Sequence, residues 1–579
     1  MALILRGGND DEQAVLLNPG THTPNGQARA AALAVAVADT APVGIVPYLS
    51  AGSLLILGDE ARALAAAERC RRLENISCTV VIAVPDAGSV AMERRVLDGI
   101  TVITATVASL VGYLGTFQLV LESPDSKAVI HEVTDGRQVF DLVLDLMTPA
   151  GINSQLLPPG YFAPGADEAA LQLALDEIPG LVGEFEKPQY FSYQASICAH
   201  GRSGMTACTR CLDACPTNAI ISQGDIIEVN PGLCQGAGSC ATACPTGAIT
   251  YSYPRLSDSL NRLRALLKVY RDHGGTDAVL LFHDREAGGD VVAALAPQLP
   301  GHILPVEVEE IGSVGMDTWL SSLAYGARAV VLLGTTCSPQ AVVAEIQAQL
   351  GTARALLAGM GYSPEVLLYT DHRGTALIDA IHGLSLLDNS APAGFAGLDE
   401  KRTVIRLAVE HLFDTAPAQR PLVSLPTGAP FGEVLLDQAR CTLCMACVSQ
   451  CPASALSAGD DTPQLYFIEA NCVQCGLCCR TCPEDAIAIT PRYLYDFQVR
   501  NSRRLLHEEE PFACIRCGKP FATRSVIERI AKKMRGHAMF QGAALERISM
   551  CEDCRVQDIY GDERSTLNSS GPTSTGGSA

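Results

Sequence analysis

Short apolar runs alternate with longer Ala-rich stretches over the first part of the chain. AVLLNP, VGIVPYL, CTVVIAVP and FQLVLES read as strands, and segments 27–38 and 59–73 carry helical spacing. Strand–helix alternation predicts a parallel α/β layer over residues 1–150. Proline and glycine then dominate, so residues 151–194 predict a linker or wrapping arm with one helix, 167–177. A second alternation fills residues 255–400. Helix 255–273 is followed by strands AVLLF, HILPVEV, AVVLLG and EVLLYT, separated by helix-length segments. This is the pattern of a doubly wound parallel sheet, in which ligands gather at the carboxyl ends of the strands. His283–Glu286 and Gly334–Cys337 fall there. Without a phosphate-cradling motif beside them they read as solvated turns, with Cys337 a buried thiol. The longest apolar stretch, 31–58, is interrupted by Asp39, Pro42 and Pro47 and predicts no membrane span.

At 579 residues the chain is too long for one core, so several domains are expected. A net charge of −21 argues against a nucleic-acid binder, which would need a basic face, and suits docking on basic patches of redox partners, or simple solubility. The 23 cysteines change the picture most. The opening MALILRGGNDDE lacks the pattern of a secretory leader, and the cysteines cluster as C-x-x-C rather than spreading as a disulfide framework. Reduced thiolates that bind iron or zinc in the cytoplasm are the expectation. Cys70 and Cys78 have no ligand-spaced neighbour and read as ordinary buried thiols.

The strongest motif lies at 441–482, inside a module expected at 435–492. CTLCMACVSQCP and CVQCGLCCRTCP each follow C-x-x-C-x-x-C-x-x-x-C-P, the run that holds a [4Fe–4S] cluster when the fourth cysteine serves the other cluster. That crossing rule gives one cluster to Cys441, Cys444, Cys447 and Cys482, and a second to Cys472, Cys475, Cys478 and Cys451. Thiolate suits the task because it is soft and donates charge to iron. Cys479 breaks the spacing and reads as a spare buried thiol.

A broken copy occupies residues 195–254. In its first half Met205 stands at the first ligand position, and Cys198 is placed to substitute. In its second half Ala237 replaces the second cysteine. The crossing rule gives one [4Fe–4S] cluster to Cys198, Cys208, Cys211 and Cys244. Cys215, Cys234 and Cys240 are left as a three-thiolate site, which fits a [3Fe–4S] cluster, a [4Fe–4S] cluster with a non-cysteine ligand or open iron, or an abandoned site. After every Cys-Pro comes a small residue and an aliphatic: Ala219-Ile220, Ala248-Ile249, Ala455-Leu456 and Ala486-Ile487. Four copies of one half-motif make an internal duplication whose aliphatics shield clusters from water.

Cys514-x-x-Cys517 and Cys551-x-x-Cys554, within a region expected at 510–558, make two knuckles. Four thiolates so spaced fit structural zinc, with another iron–sulfur cluster as the rival. Between them RSVIERIAKKMRGH predicts a helix with a cationic face. Residues 565–579 predict a disordered tail.

The expected fold class is therefore multidomain α/β plus α+β: two parallel α/β domains, two ferredoxin-like dicluster modules and a C-terminal four-cysteine knuckle. With both cysteine modules in view, the chain resembles polyferredoxin-type 4Fe–4S proteins. The stretch PVEVEEIGSVGMDTWLSSLAYGARAVVLLGTTCSP, residues 305–339, resembles the delta subunit of methyl-viologen-reducing hydrogenase, whose further cysteines ligate a [2Fe–2S] cluster. Only Cys337 is present here, so the resemblance implies a docking or relay domain without that cluster. Together the resemblances imply an electron-transfer subunit or partner of a soluble oxidoreductase complex of the formate dehydrogenase, hydrogenase or heterodisulfide reductase type. No catalytic constellation is visible. Two other readings stay open: a flavin- or nucleotide-binding enzyme with its own active site, and a redox sensor or scaffold.

Overall fold

The computed structural model describes residues 23–35, 44–84, 93–123, 126–129, 139–388, 390–460 and 462–568. The expected strand AVLLNP and residues 569–579 of the expected tail lie outside them. Ser565–Asn568 of that tail ends the helix Glu552–Asn568. The chain divides into two compact units, residues 1–198 with 209–419, and 199–208 with 420–579.

In the first unit, Ser53–Gly58 is the buried centre of an eight-stranded sheet. Its side chains alternate between two cores. Leu54 and Ile56 join one with the helix Glu60–Cys70, while Leu55 and Leu57 join Phe117, Phe140 and Tyr161 on the other face. Both faces being covered explains why the strand reads as an unbroken apolar run. Ser53–Gly58 pairs in parallel with Ser77–Ala83 and Leu142–Asp145, and Ser77–Ala83 with Ile100–Val111.

The sheet is not wholly parallel, as expected above. Glu93–Leu97 and Gln118–Ser123 flank Ile100–Val111 in antiparallel register. The physical reason is loop length: a tight turn joins those strands, whereas a parallel return needs a long crossover. The sheet is closed by a buried carboxylate. Asp145 accepts the amides of Met147 and Gly151 at 2.8 and 2.7 Å and the Tyr161 hydroxyl at 2.5 Å. The arm is threaded with structure. Its helix runs Glu168–Glu177, capped by Asp167, and Gly183–Pro188 pairs antiparallel with Ile45–Ser50. That ladder fixes Lys187 opposite Val46.

A second sheet holds four parallel strands, β1 (Val279–Asp284), β2 (Ile303–Val308), β3 (Ala329–Leu333) and β4 (Leu367–Thr370), in the order β2-β1-β3-β4. Helices Ala287–Leu295, Met316–Ala324 and Gln340–Gly359 make the crossovers. Trp319 and Leu320 of the middle one are fully buried.

The two cysteine-rich modules repeat one plan. A strand leads into a cysteine loop and a one-turn helix. A two-stranded hairpin follows, then a second loop, a second short helix, and a strand that pairs with the first. Upstream the outer pair is Phe191–Tyr193 with Ile249–Tyr251 around the hairpin 220–229. In the second unit it is Gly432–Leu436 with Ile487–Leu494 around the hairpin 456–467. The expected cationic helix runs Arg524–Met534, capped by the Thr523 hydroxyl. No helix among the described residues is long and apolar enough to cross a membrane.

Replacing Asp145 by Ala strands two amides and a hydroxyl in the core, and should cost roughly 3 kcal/mol of stability in the first unit. Urea denaturation followed by limited proteolysis checks this, with Arg285→Ala, which breaks exposed ion pairs, as the near-neutral control.

Candidate metal centres

A thiolate can wrap an inorganic core only if its loop turns sharply. In the intact module, left-handed residues flank the second cysteine of each run: Leu443 and Met445 around Cys444, with φ of 52° and 60°, and Gln474 and Gly476 around Cys475, with φ of 54° and 80°. The one-turn helices Ala446–Gln450 and Leu477–Thr481 then present the third cysteines. Cys441, Cys444 and Cys447 line one cavity of about 20 Å³, and the fourth thiol in its wall is Cys482, from the other run. Burial pushes the Cys447 thiol up to about 12, and the thiols of Cys441, Cys444 and Cys482 push the same way. Cys475 is raised to about 11 by burial, then by Cys451, Cys472 and Cys208. Cys447 thus feels Cys441, Cys444 and Cys482, while Cys475 feels Cys451 and Cys472 and also Cys208, which spacing gave to another set.

Amides and one side chain complete the sulfur surroundings. Leu443, Ala455 and Ala486 donate backbone N–H groups to the sulfurs of Cys441, Cys451 and Cys482 at 3.5, 3.2 and 3.3 Å. Gln474 Nε2 donates to Cys472 Sγ at 3.4 Å. The spare cysteine was placed too deep by the sequence. Cys479 is half-buried and hydrogen-bonds Cys478, its neighbour on the one-turn helix.

In the upstream module, Cys211 and Cys244 sit in a small core with Ile220, Ile227, Ala248 and Ile249, against which Cys198, Cys215 and Cys240 pack. Burial pushes Cys240 well up, followed by the thiols of Cys234, Cys215 and Cys211. At Ala237 the ligand is gone but the backbone is kept. Gly236 and Gly238, with φ of 80° and 76°, flank it as the left-handed residues flank Cys444 and Cys475. A Cβ on Gly236 would strike the Tyr190 ring at 2.9 Å, and one on Gly238 the Ser313 backbone at 2.4 Å, so this corner is tightly packed.

Polar groups that spacing did not reveal converge here. Thr217 Oγ1 lies 3.4 Å from Cys215 Sγ, and Thr246 Oγ1 lies 3.5 Å from Cys244 Sγ. Lys187 Nζ donates to the carbonyls of Gly232 and Cys234 at 3.1 and 2.5 Å, and burial pulls its pKa down to about 8. Lys401 Nζ donates to the carbonyls of Ala241, Thr242 and Cys244. The threonines could have been found from their fixed place after each upstream Cys-Pro. The lysines could not, being 47 and 157 residues from the cysteines they touch.

Segment 199–208 belongs to the second unit. There Met205 Sδ accepts from the Thr481 hydroxyl at 3.7 Å, and Cys208 acts on the Cys475 thiol. Outside the modules, Cys70 is buried and shares a hydrogen bond with the half-buried Cys78. Cys337, expected buried, is exposed, because the turn after β3 carries it to the surface. His283 at the end of β1 is buried, with Nδ1 bonded to the Asp284 carbonyl at 3.0 Å. It borders a cavity of about 370 Å³ over the carboxyl ends of β1 and β2, also lined by Tyr251, Arg262, Glu307 and Asp317.

The sulfurs of Cys514, Cys517, Cys551 and Cys554 all lie within 4.8 Å of one another, with Cys517 and Cys551 3.7 Å apart. A tetrahedral ion with metal–sulfur bonds of about 2.3 Å requires sulfur–sulfur edges of about 3.8 Å. The four thiols therefore fit a single ion, whereas a cubane would spread them wider. Burial raises Cys514, but the amides of Cys551, Cys517 and Arg516 outweigh it and bring the thiol to about 6. Gly518, at φ 77°, makes the knuckle turn. The Thr523 hydroxyl donates to the Thr442 carbonyl at 2.9 Å, and Arg529 pairs with Glu484, so this region packs onto the loop that carries Cys441 and Cys444.

Known proteins are similar to parts of this chain. The 4Fe-4S dicluster domain family matches residues 206–248 and 440–486. Hydrogenase-4 component A of Escherichia coli K12 is 49% identical over 45 residues, 8% of this chain and 22% of that protein. The ferredoxin-type protein NapF of the same strain is 41% identical over 51 residues, 8% of this chain and 31% of that protein. The chain thus spans a third or less of the relatives it matches. With two matches to the 4Fe–4S dicluster domain along its length, the chain is similar to polyferredoxin-type iron–sulfur proteins.

Proposed function

We propose that the protein relays single electrons along three or four clusters as a subunit or partner of an oxidoreductase complex of the hydrogenase, formate dehydrogenase or heterodisulfide reductase type. The observation that carries the reading is the cavity at 441–482, whose wall takes three thiols from one run and the fourth from the other. This is the ligand sharing that dicluster ferredoxins use. Iron–sulfur clusters supply one-electron storage. The chain's own residues supply thiolates, amide donors to sulfur, and the aliphatic cover that keeps water out. In this reading Cys451, Cys472, Cys475 and Cys478 hold the second cluster, and Cys198, Cys208, Cys211 and Cys244 a third. Cys215, Cys234 and Cys240 hold a [3Fe–4S] or open-iron cluster. The likeness to a hydrogenase component favours a hydrogenase-type partner. The acidic surface favours docking on basic patches.

Cys514, Cys517, Cys551 and Cys554 hold one zinc ion in this proposal, and its role is structural: it braces the region packed on the Thr442 loop.

A second reading is favoured by the cavity of about 370 Å³ at the strand ends, which is large enough for a small redox cofactor. Flavin released by acid at one per chain would establish it; none would leave the relay alone.

Three outcomes are expected for the relay. Cys444→Ser and Cys475→Ser should each remove one [4Fe–4S] cluster, about four irons per chain, and leave the other's EPR signal in place. Loss of both signals from either variant, or of neither, contradicts the ligand sets. Cys551→Ser should abolish zinc binding and speed air oxidation of the cluster at Cys441 several-fold, read by the decay of absorbance, with the cluster at Cys475 less affected. Zinc should also leave as the pH is lowered into the acid range, because protons compete with the ion for the four thiolates, and stay bound at neutral pH.

A further inference from the structure

A buried cation is costly unless a negative partner compensates it. Lys187 and Lys401 are 6% and 7% exposed, and neither forms an ion pair among the described residues. Glu345 senses Lys401, but its side chain bonds Gln349. Each ammonium instead rests on the carbonyl of a cluster-ligand cysteine: Lys187 on Cys234, and Lys401 on Cys244. These two cysteines fall in different upstream ligand sets. Each upstream set also has one hydroxyl against one of its sulfurs, Thr217 at Cys215 and Thr246 at Cys244. Thr246 Oγ1 also accepts from the Ala248 amide at 3.1 Å.

The downstream module lacks these lysines and hydroxyls, and its sulfurs take hydrogen bonds from the Gln474 side chain and from backbone amides instead. Ala453 and Glu484 stand where the threonines would be, and no lysine occurs between Arg420 and Glu510. The carboxylate of Glu509 acts on Cys441. Its cations Arg440 and Arg480 are exposed, where solvent screens them, and the less exposed Arg492 is neutralised by Glu433 and Glu469. Ala237 adds to the asymmetry by removing one anionic ligand upstream. Positive charge and fewer thiolates both favour the reduced state of a cluster, and a hydroxyl donor to sulfur acts in the same direction.

We propose that Lys187 and Lys401 are counter-ions of the upstream clusters, and that with Thr217 and Thr246 they make the module at 198–244 the high-potential half of the chain. Electrons held by the protein rest there first, and the module at 441–482 is the low-potential half that fills last. The four side chains act through the cluster ligands, as positioning and tuning residues. The inference rests on the cluster-binding reading. Iron and sulfide content test that reading, and midpoint potentials test this one.

The experiment is a potentiometric titration of the anaerobic full chain, followed by EPR. Signals are assigned by their loss in Cys211→Ser for the upstream module and Cys475→Ser for the downstream one. Upstream signals should change first on reduction. Lys187→Met and Lys401→Met should each shift the electron's share away from one upstream cluster by about tenfold, which is about 59 mV for a one-electron couple. Downstream potentials should stay fixed, and Lys401→Arg should retain the native value. Thr217→Val, nearly isosteric, covers the case in which a lysine variant fails to fold. It should lower the potential of the cluster at Cys215, and Thr217→Ser should restore it. Downstream clusters that fill first, or potentials unmoved in folded variants at full iron content, overturn the proposal.

Discussion

Everything in this protein's chemistry depends on placing anionic thiolates close together inside folded protein. Burial opposes it, and the raised thiols of Cys447, Cys475 and Cys240 express that opposition. Iron supplies the missing positive charge, so the sites are built to be completed by metal. The loops make the approach possible. Left-handed residues flank the second ligand position, and one-turn helices aim the third thiol inward. Because the cavity at Cys441, Cys444 and Cys447 draws its fourth thiol, Cys482, from the other run, that site is not complete without the duplicate half.

The same constraint explains the C-terminal region. Its four sulfurs stand at the spacing of a single tetrahedral ion, and the region leans on the Thr442 loop through Thr523 and Arg529. The region has little core of its own, and Ile527 is the buried residue of its main helix. The two sheets of the first unit are stabilised differently, by apolar strands buried on both faces and by Asp145 locking the turn beyond one of them.

The cysteine runs were legible in the sequence because ligand spacing is local: the residues between Cys441 and Cys444 determine the loop. The alternation that predicts a doubly wound sheet was legible for the same reason, and β1 to β4 follow it. The antiparallel edge of the N-terminal sheet was also written in the sequence, as the short link from Val111 to Gln118, but strand periodicity alone does not weigh loop length. Ala237 was visible as a missing ligand. That Gly236 and Gly238 preserve the wrap around it is a statement about dihedral angles, which only their glycine identity hinted at. Lys187 and Lys401 were not legible. Nothing in a lysine on a strand or a helix tells which distant carbonyl it reaches, and exposed lysines are the common case.

The two modules are thus one duplicated plan with different electrostatic surroundings, lysine and threonine upstream, carboxylate and alanine downstream. The central claim is that both modules carry clusters and the C-terminal knuckle carries a single ion. Native mass spectrometry of the anaerobically purified full chain tests it most directly. The account predicts one dominant species bearing two downstream [4Fe–4S] clusters, one upstream [4Fe–4S] cluster, one upstream cluster short of a thiolate, and one zinc ion. A dominant species with only the two downstream clusters would contradict it.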